Sequence, residues 1–345
     1  MKPNENIIKY SVIIPAYNSE KTIKRCIESI TLQDRPDVEI IIINDGSKDR
    51  TGEIADNYVA KYPNIVRVVH QENGGHGEGI NQGVIHATGK YFKVVDSDDV
   101  MSDDFVAFLD KLEECDKNGG IDLMVTNYYY VHTDGIGDRS INYKNALPTG
   151  RIFGWKDIKN FRIHQLLTIH SSTYRTALMR RAAEVEPLPK HVFYEDNLMV
   201  YRVLQYVEKI YYMNIDLYRY WIGRPDQSVQ QSAMMKRYTH HLLVSEKIFT
   251  SCHLDDIKEP KLKKYLKHEI FMLFAIAILP TRMNKTKQHD ADLKKMWDNC
   301  IAYDAKWAKH FRYRTVLSLL CLPGRFGQNI CCIVNWLANH VVRFN

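Results

Sequence analysis

Three carboxylates follow a short apolar run in the segment FKVVDSDD, residues 92–99. Asp96 and Asp98 are separated by one residue, and alternate side chains of an extended segment point to the same side. Two like charges about 5 Å apart repel each other by roughly 3 kcal/mol at an effective dielectric constant near 20, so water or a cation must separate them. The spacing therefore predicts a site for Mg²⁺ or Mn²⁺, which prefer carboxylates and phosphate oxygens. We expect Asp99, like residues 102–104, to be a solvated strand end or helix start.

Two other polar segments also follow apolar runs. Asp45 follows VEIIII (38–43) after one residue, Asn44. Its carboxylate could accept a hydrogen bond from a nucleobase N–H there, although Asn-Asp-Gly-Ser also favours a plain turn. The segment NGGHGEGINQG, residues 73–83, is rich in glycine and opens a helix, so it either brings backbone amides to a phosphate or is only a tight connection. It does not fit the GxGxxG fingerprint, and the chain has no GxxxxGK[ST] sequence.

Two later segments offer side chains for proton transfer and for binding an anion. FYEDNLMVYRVL, residues 193–204, places Asp196 before an amphipathic helix, where it is either a general base or a helix N-cap. Arg224 and Ser228 in RPDQSV could grip a diphosphate, or they belong to an ordinary surface turn.

The elements that must position these residues alternate along the first 130 residues. Five apolar runs predict strands at 10–17, 38–43, 65–69, 91–95 and 121–131, and amphipathic periodicities between them predict helices. Strands that are apolar throughout indicate a mostly parallel sheet with helices on both faces, which is an α/β fold. Because ligands of such sheets bind beyond the carboxyl ends of the strands, the polar loops should converge on one edge.

The rest of the sequence limits the domain organisation and the localisation of the protein. The pattern is helical after residue 233, so we predict a catalytic domain over 1–230 and a helical region over 231–345. The longest apolar run, IFMLFAIAIL, is far shorter than the roughly 20 residues that span a bilayer. Seven cysteines without CxxC spacing, and no apolar leader at the N-terminus, favour a cytoplasmic protein. The net charge of +6 could favour anionic partners.

The last segment, RYRTVLSLLCLPGRFGQNICCIVNWLANHVVRF, mixes apolar faces with arginines. It predicts either a helical subdomain or homo-oligomer interface, or a peripheral contact with the inner face of a membrane.

Taken together, the motifs resemble glycosyltransferase family 2, inverting enzymes with the Rossmann-like GT-A fold. The resemblance covers about the first 230 residues. The matching segments are SVIIPAYN (11–18), INDGSKDRT (43–51), ENGGHGEGINQG (72–83), GKYFKVVDSDD (89–99), YEDN (194–197) and RPDQSV (224–229). The residues that the resemblance implies for the donor nucleotide are Pro15, Ala16, Tyr17, Asn18, Asp45, Asn73, Gly74, Asp96, Ser97, Arg224 and Ser228. It further implies that Asp45 reads a uracil ring, that Asp98 holds Mn²⁺ or Mg²⁺, and that Asp196 is the base.

The resemblance implies a metal-dependent, inverting transfer of a sugar from a UDP-sugar to a glycan, lipid-linked or glycoprotein acceptor, with no nucleic-acid partner. One departure is that Gly79-Ile80-Asn81 stands where many members carry Ala-Arg-Asn, so His76 or another residue must replace the arginine contact, or the donor is held differently. Two alternatives remain open. A nucleotidyltransferase usually has a basic, glycine-rich loop after its first strand, which PAYNSEKT is not; an inactive nucleotide-sugar-binding module would not need both acidic motifs.

Overall fold

The computed structural model describes residues 9–31, 35–132, 135–223, 227, 230–284 and 286–337. The chain divides into two compact units. The first unit comprises Met1–Asn160, Leu167–Val192 and Tyr206–Ile222, and the second comprises Phe161–Leu166, Phe193–Gln205 and Gly223–Asn345. The predicted division into 1–230 and 231–345 stays a prediction.

One sheet runs through the first unit. Its strands are β1 (Tyr10–Ala16), β2 (Val38–Asp45), β3 (Val66–Gln71), β4 (Tyr91–Val94), β5 (Val100–Met101), β6 (Leu123–His132), β7 (Arg139–Ile141), β8 (Ile152–Phe153), β9 (Ser172–Arg175) and β10 (Ile210–Ile222). Their order is β3-β2-β1-β4-β9-β6-β10-β5, with β7 on β6 and β8 on β10. The long ladders of β3, β2, β1 and β4, and of β6 with β10, are parallel, whereas the short β9 is antiparallel to β4 and β6.

Helices cover both faces of this sheet. They are α1 (Ile23–Thr31), α2 (Thr51–Lys61), α3 (His76–His86), α4 (Phe105–Lys117) and α5 (Thr176–Val185). Ile23, Cys26, Ile27 and Ile30 of α1 are buried at the predicted helical spacing, in one core with Val12 and Ile14 of β1. On the opposite face, α3 lies so close to β1 that a Cβ on Gly83 would be 2.4 Å from Ile13. The predicted α/β fold with a mainly parallel sheet is therefore confirmed.

The second unit is helical. It contains α6 (Glu195–Leu204), α7 (Gln231–Lys236), α8 (Tyr238–Thr250), α9 (Pro260–Met283), α10 (Lys287–Tyr303), α11 (Ala305–Arg314), α12 (Leu317–Leu320) and α13 (Gly324–Leu337). Phe274 of α9 is central to its core, with ring centroids 4.7 Å from Trp297 and 5.8 Å from Phe311. None of the helices in the described ranges is both long and apolar enough to cross a bilayer.

Candidate functional site

The loops that follow β1, β2 and β4 are joined by hydrogen bonds. The amide of Asn18 donates to Ser47 Oγ (3.1 Å), and the amide of Lys48 donates to Asn18 Oδ1 (2.8 Å). Asn18 has a φ of 49°, a left-handed conformation that asparagine tolerates better than most residues. The hydroxyls of Ser19 and Ser97 lie 2.7 Å apart, which ties the loop after β1 to the loop after β4. The predicted convergence of the strand-end loops is confirmed for these three.

Asp45, at the end of β2, holds the glycine-rich loop after β3. Its carboxylate is only 2% exposed and accepts hydrogen bonds from the side-chain amides of Gln71 (2.7 Å) and Asn73 (3.1 Å). It also accepts from the backbone amides of Gly74 (2.7 Å) and Gly75 (2.8 Å). A carboxylate offers about four lone-pair sites, and these four donors occupy them. The predicted contact with uracil stays a prediction. A uracil N–H could bind this carboxylate only by displacing one of the four donors.

The same loop requires glycine immediately before α3. Gly75 has a φ of 87°, and a Cβ there would lie 2.9 Å from the backbone nitrogen of His191. That nitrogen donates to the carbonyl of Gly74 (2.8 Å), so the segment around residue 191 covers the loop. The backbone thus turns sharply enough for α3 to begin at His76, whose side chain reaches the loop after β4.

Asp96 lies between two histidines. His76 Nε2 is 2.9 Å from Asp96 Oδ1, and His170 Nε2 is 3.5 Å from Asp96 Oδ2. Burial alone would raise the pKa of Asp96, but the hydrogen bonds from His170 and His76 outweigh it and hold that pKa well below its ordinary value. Asp96 is therefore a carboxylate that accepts from both imidazoles. Through His76 it connects the loop after β4 with the glycine-rich loop.

His170 is fixed by its neighbours. Its ring stacks on Tyr220 with centroids 4.3 Å apart and meets Tyr218 edge to face at 5.0 Å. Its carbonyl accepts from Lys93 Nζ at 3.0 Å, a buried ammonium group of β4. Burial lowers the pKa of Lys93 to about 7, although the Asp96 charge opposes the shift.

Asp99 corrects one sequence-based expectation. It was expected to be solvated, but its exposed fraction is 0%, and it accepts hydrogen bonds from Tyr218 Oη and the amide of Trp221, both at 2.8 Å. Burial, followed by the charges of Asp98 and Asp96, raises the pKa of Asp99 well above its ordinary value. Oxygen atoms of Asp96 and Asp99 and a ring nitrogen of His170 lie within 4.8 Å of one another, so this group could hold a metal ion.

The other predicted residues of the loops after β1 and β4 differ in their exposure to solvent. Pro15 and Ala16 are buried within β1, whereas Tyr17 is 48% exposed. Asp98 is partly buried, and its carbonyl accepts from Arg25 (2.9 Å).

For the remaining three predicted residues, contact with this network stays a prediction. Asp196 lies in the first turn of α6 in the second unit and accepts a hydrogen bond from the side chain of Asn197 (3.1 Å). Arg224 and Ser228 lie outside the described residues.

The departure at Gly79-Ile80-Asn81 has a local explanation. A Cβ on Gly79 would lie 2.9 Å from Cβ of Pro15, so alanine does not fit here unless α3 and β1 move apart. Asn81 bonds both backbone groups of Leu188, donating to its carbonyl (3.0 Å) and accepting from its amide (2.9 Å). From the start of the same helix, His76 Nε2 contacts the carboxylate of Asp96 in the loop after β4.

His170 and Lys93 were not predicted from the sequence, and Asp99 was predicted to be solvated. Lys93 could have been noticed, because it is the single charged residue in the apolar run YFKVV. Nothing local distinguishes His170, which comes to Asp96 from far along the chain. Asp99 was passed over because an aspartate before a helix usually serves as a solvated cap or first-turn residue.

Comparisons with known proteins agree with this geometry. The family model described as "Glycosyl transferase family 2" matches residues 11–183. The chain is 40% identical over 124 residues to "Uncharacterized glycosyltransferase EpsJ" of Bacillus subtilis, and 40% identical over 128 residues to "Glycosyltransferase GlyG" of Streptococcus pneumoniae. Each match covers 36% of this chain, but it spans only 35% and 41% of those relatives.

Among solved structures, TarS residues 1–349 of S. aureus superposes with a TM-score of 0.64 at 19% identity, over 97% of this chain and 91% of that one. The mannosyltransferase PcManGT of Pyrobaculum calidifontis superposes with a TM-score of 0.54 at 13% identity, over 91% and 86% of the two chains. At these identities the likeness concerns the fold, and it agrees with the predicted GT-A architecture. Because the family model matches half of the chain, over the strands and loops that form the site, the chain belongs to glycosyl transferase family 2.

Proposed function

We propose that this chain transfers a sugar from a UDP-sugar to the hydroxyl of a glycan-type acceptor, with inversion at the anomeric carbon. One observation carries the proposal: Asp45 accepts hydrogen bonds from the backbone amides of Gly74 and Gly75, and the side chain of the next residue, His76, is bonded to Asp96. These contacts join the carboxyl ends of β2 and β4 with the start of α3, which is where open α/β sheets bind nucleotides.

The donor nucleotide would bind against this edge. The loop that Asp45 orders would present backbone to the ribose and diphosphate at Asn73 and Gly74, next to the N-terminus of α3. Asp96 would face the ribose, with its carboxylate held in place by His76 and His170. Pro15, Ala16, Tyr17, Asn18 and Ser97 would complete the nucleotide site, and Arg224 and Ser228 would contact the diphosphate.

The donor set at the end of β4 fits a divalent cation. Asp96 and Asp99 bring carboxylate oxygens within 4.8 Å of one another, and Asp98 would add a carboxylate from the same loop. Oxygen-rich sets of this kind suit Mg²⁺ or Mn²⁺, with Asp98 as the principal ligand. When bound, the cation would neutralise the charge that develops on the leaving diphosphate.

The transfer itself needs a base on the opposite side of the sugar. The acceptor oxygen forms a bond to the anomeric carbon while the bond from that carbon to the diphosphate oxygen breaks. We assign the acceptor's proton to Asp196, which lies in the acidic first turn of α6. Because Asp96 accepts from both imidazoles, neither His76 nor His170 can take a proton at Nε2 without giving up that contact.

Two solved structures with bound nucleotide sugars indicate which donors to test. A structure of TarS contains UDP-GlcNAc, and the PcManGT structure contains GDP-Man and Mn²⁺. UDP-GlcNAc is therefore the first donor to test, and GDP-mannose is the informative competitor. The acceptor class that we propose is a cell-surface glycan or polysaccharide.

A donor panel tests the function. Purified protein is incubated with each UDP-sugar and with GDP-mannose, with Mn²⁺ or with EDTA, and nucleoside diphosphate release is measured. We expect UDP release from one UDP-sugar, above the level of an Asp98→Asn variant and lost in EDTA. Release of GDP alone would replace UDP as the nucleotide. UDP binding without turnover, across a range of glycan acceptors, would favour the inactive module, and pyrophosphate release from UTP and a sugar 1-phosphate would favour a nucleotidyltransferase.

A further inference from the structure

The net charge of the chain is concentrated at one end of its sequence. Residues 305–345 contain six lysines and arginines and no aspartate or glutamate. Because the formal net charge of the whole chain is +6, the first 304 residues carry equal numbers of acidic and basic side chains. The surplus of positive charge, which would attract an anionic surface, therefore belongs to this end of the sequence.

The same stretch exposes apolar side chains. Of the thirteen large hydrophobic residues that are exposed in the described part of the chain, seven lie within residues 313–337. They are Tyr313, Val316, Leu319, Phe326, Ile333, Trp336 and Leu337. We call residues 305–337, which form α11, α12 and α13, the basic apolar segment. Such a density of exposed apolar side chains is typical of an interaction surface.

Helix α13 shows how the exposure arises. One side of the helix is buried, at Gly327, Gln328 and Cys331, where it packs against the rest of the second unit. Phe326, Ile333 and Leu337 follow one another at spacings of seven and four residues, so they form a stripe on a different side. Phe326 is 70% exposed. Within the described residues, the helix therefore packs on its own unit along one side and exposes an apolar stripe on another.

The charge decides which partner fits this surface. A second copy of the chain would bring two strongly basic segments together, and nothing in residues 305–345 could neutralise them. An anionic lipid surface satisfies both properties, because its headgroups attract arginine while aromatic and aliphatic side chains enter the interface. Arg314 and Arg325 are exposed next to Tyr313 and Phe326, which is the arrangement that such an interface requires. We propose that the basic apolar segment docks the protein on an anionic lipid surface.

Vesicle co-sedimentation tests the apolar part of the surface. The full chain should sediment with phosphatidylcholine–phosphatidylglycerol vesicles at low salt and not with phosphatidylcholine alone. In the double variant Phe326→Ser/Ile333→Ser the apparent affinity should fall about tenfold or more, because two apolar side chains no longer enter the interface. The matched control is Ile85→Ser, which replaces an equally exposed isoleucine (67%) in the first unit and should bind like the wild type.

A second pair of variants tests the charge. Arg314→Gln/Arg325→Gln should weaken binding by about fivefold for each arginine, and Lys61→Gln/Lys156→Gln, at exposed sites of the first unit, should not. Circular dichroism checks that every variant is folded. Equal binding by the wild type and both test variants, or no binding to the anionic vesicles, would overturn the proposal. So would a lipid-free dimer that the Phe326→Ser/Ile333→Ser variant converts to monomer in sedimentation velocity, because the surface would then join two copies.

Discussion

Replacing Asp45 by asparagine separates two roles that this residue could have. As an anchor, Asp45 holds the backbone of Gly74 and Gly75, and its loss should disturb every ligand that the loop contacts. If Asp45 instead binds the uracil ring, its replacement should weaken the binding only of ligands that carry this base. Each carboxylate oxygen accepts one side-chain amide and one backbone amide, Gln71 with Gly74 and Asn73 with Gly75.

The size of the effect follows from this pairing. In the Asp45→Asn variant, the new side-chain amide would turn its NH₂ toward one of the two donor pairs. The side-chain amide of that pair can flip and recover its bond, but the backbone N–H of the glycine cannot. A hydrogen bond to a charged group contributes roughly 1.5–3 kcal/mol, so the loop loses about that amount. Because about 1.4 kcal/mol corresponds to a tenfold change in a binding constant, we expect affinity to fall about tenfold or more.

Titration calorimetry with UDP and with Mg²⁺-pyrophosphate distinguishes the roles. Asp45→Asn should weaken the binding of both ligands by a similar factor, because in the proposed site the loop that the substitution disorders would contact the diphosphate. The control Asp56→Asn, which removes an exposed carboxylate from α2, should change neither affinity. A variant that loses UDP binding but keeps full pyrophosphate affinity would refute the anchor role and assign Asp45 to the base.

Three further predictions concern other carboxyl groups. Asp98→Asn should abolish Mn²⁺-dependent UDP binding and turnover, and unchanged activity at saturating Mn²⁺ would remove Asp98 as the metal ligand. Asp196→Asn should leave UDP affinity nearly intact and slow transfer by about 10²–10⁴-fold, the usual contribution of a general base; loss of the fold instead would make Asp196 a structural cap. Glu269 is buried in α9, and burial raises its pKa well above the ordinary value. The folded protein therefore keeps a proton that the unfolded chain releases above the ordinary pKa, so the free energy of unfolding should fall as pH rises, by up to about 1.4 kcal/mol per pH unit. Urea unfolding between acid and neutral pH should show that Glu269→Gln removes this slope while the exposed control Glu184→Gln retains it, and equal slopes in all three proteins would contradict a neutral Glu269.

The part of the fold that could be predicted rests on local pattern. Ile40, Ile41, Ile42 and Ile43 are all fully buried, as expected for a strand covered on both faces, and a run of this kind is visible without knowing its neighbours. The same holds for the polar loop after each strand, because the carboxyl ends of adjacent parallel strands must meet at one edge. The family motifs then indicated which of these loops form the site.

What could not be predicted depends on contacts between distant segments. The strand β9 has only four residues, STYR, and no alternation that distinguishes it from a loop, yet it pairs with both β4 and β6. His170 lies just before it and reaches Asp96 only because β9 lies next to β4. The burial of Asp99 depends in the same way on β10, whose Tyr218 and Trp221 supply its donors.

The closeness of α3 and β1 has a consequence for how this protein can vary. Gly79 and Gly83 contact no proposed ligand, yet a single methyl group on either would collide with Pro15 or Ile13 and push the helix outward. Since His76 begins that helix, the displacement would reach the edge of the sheet where we propose that the nucleotide binds. In a saturation library selected for activity, both positions should accept almost no replacement, and their intolerance would report the separation between a helix axis and a strand rather than any chemistry of their own.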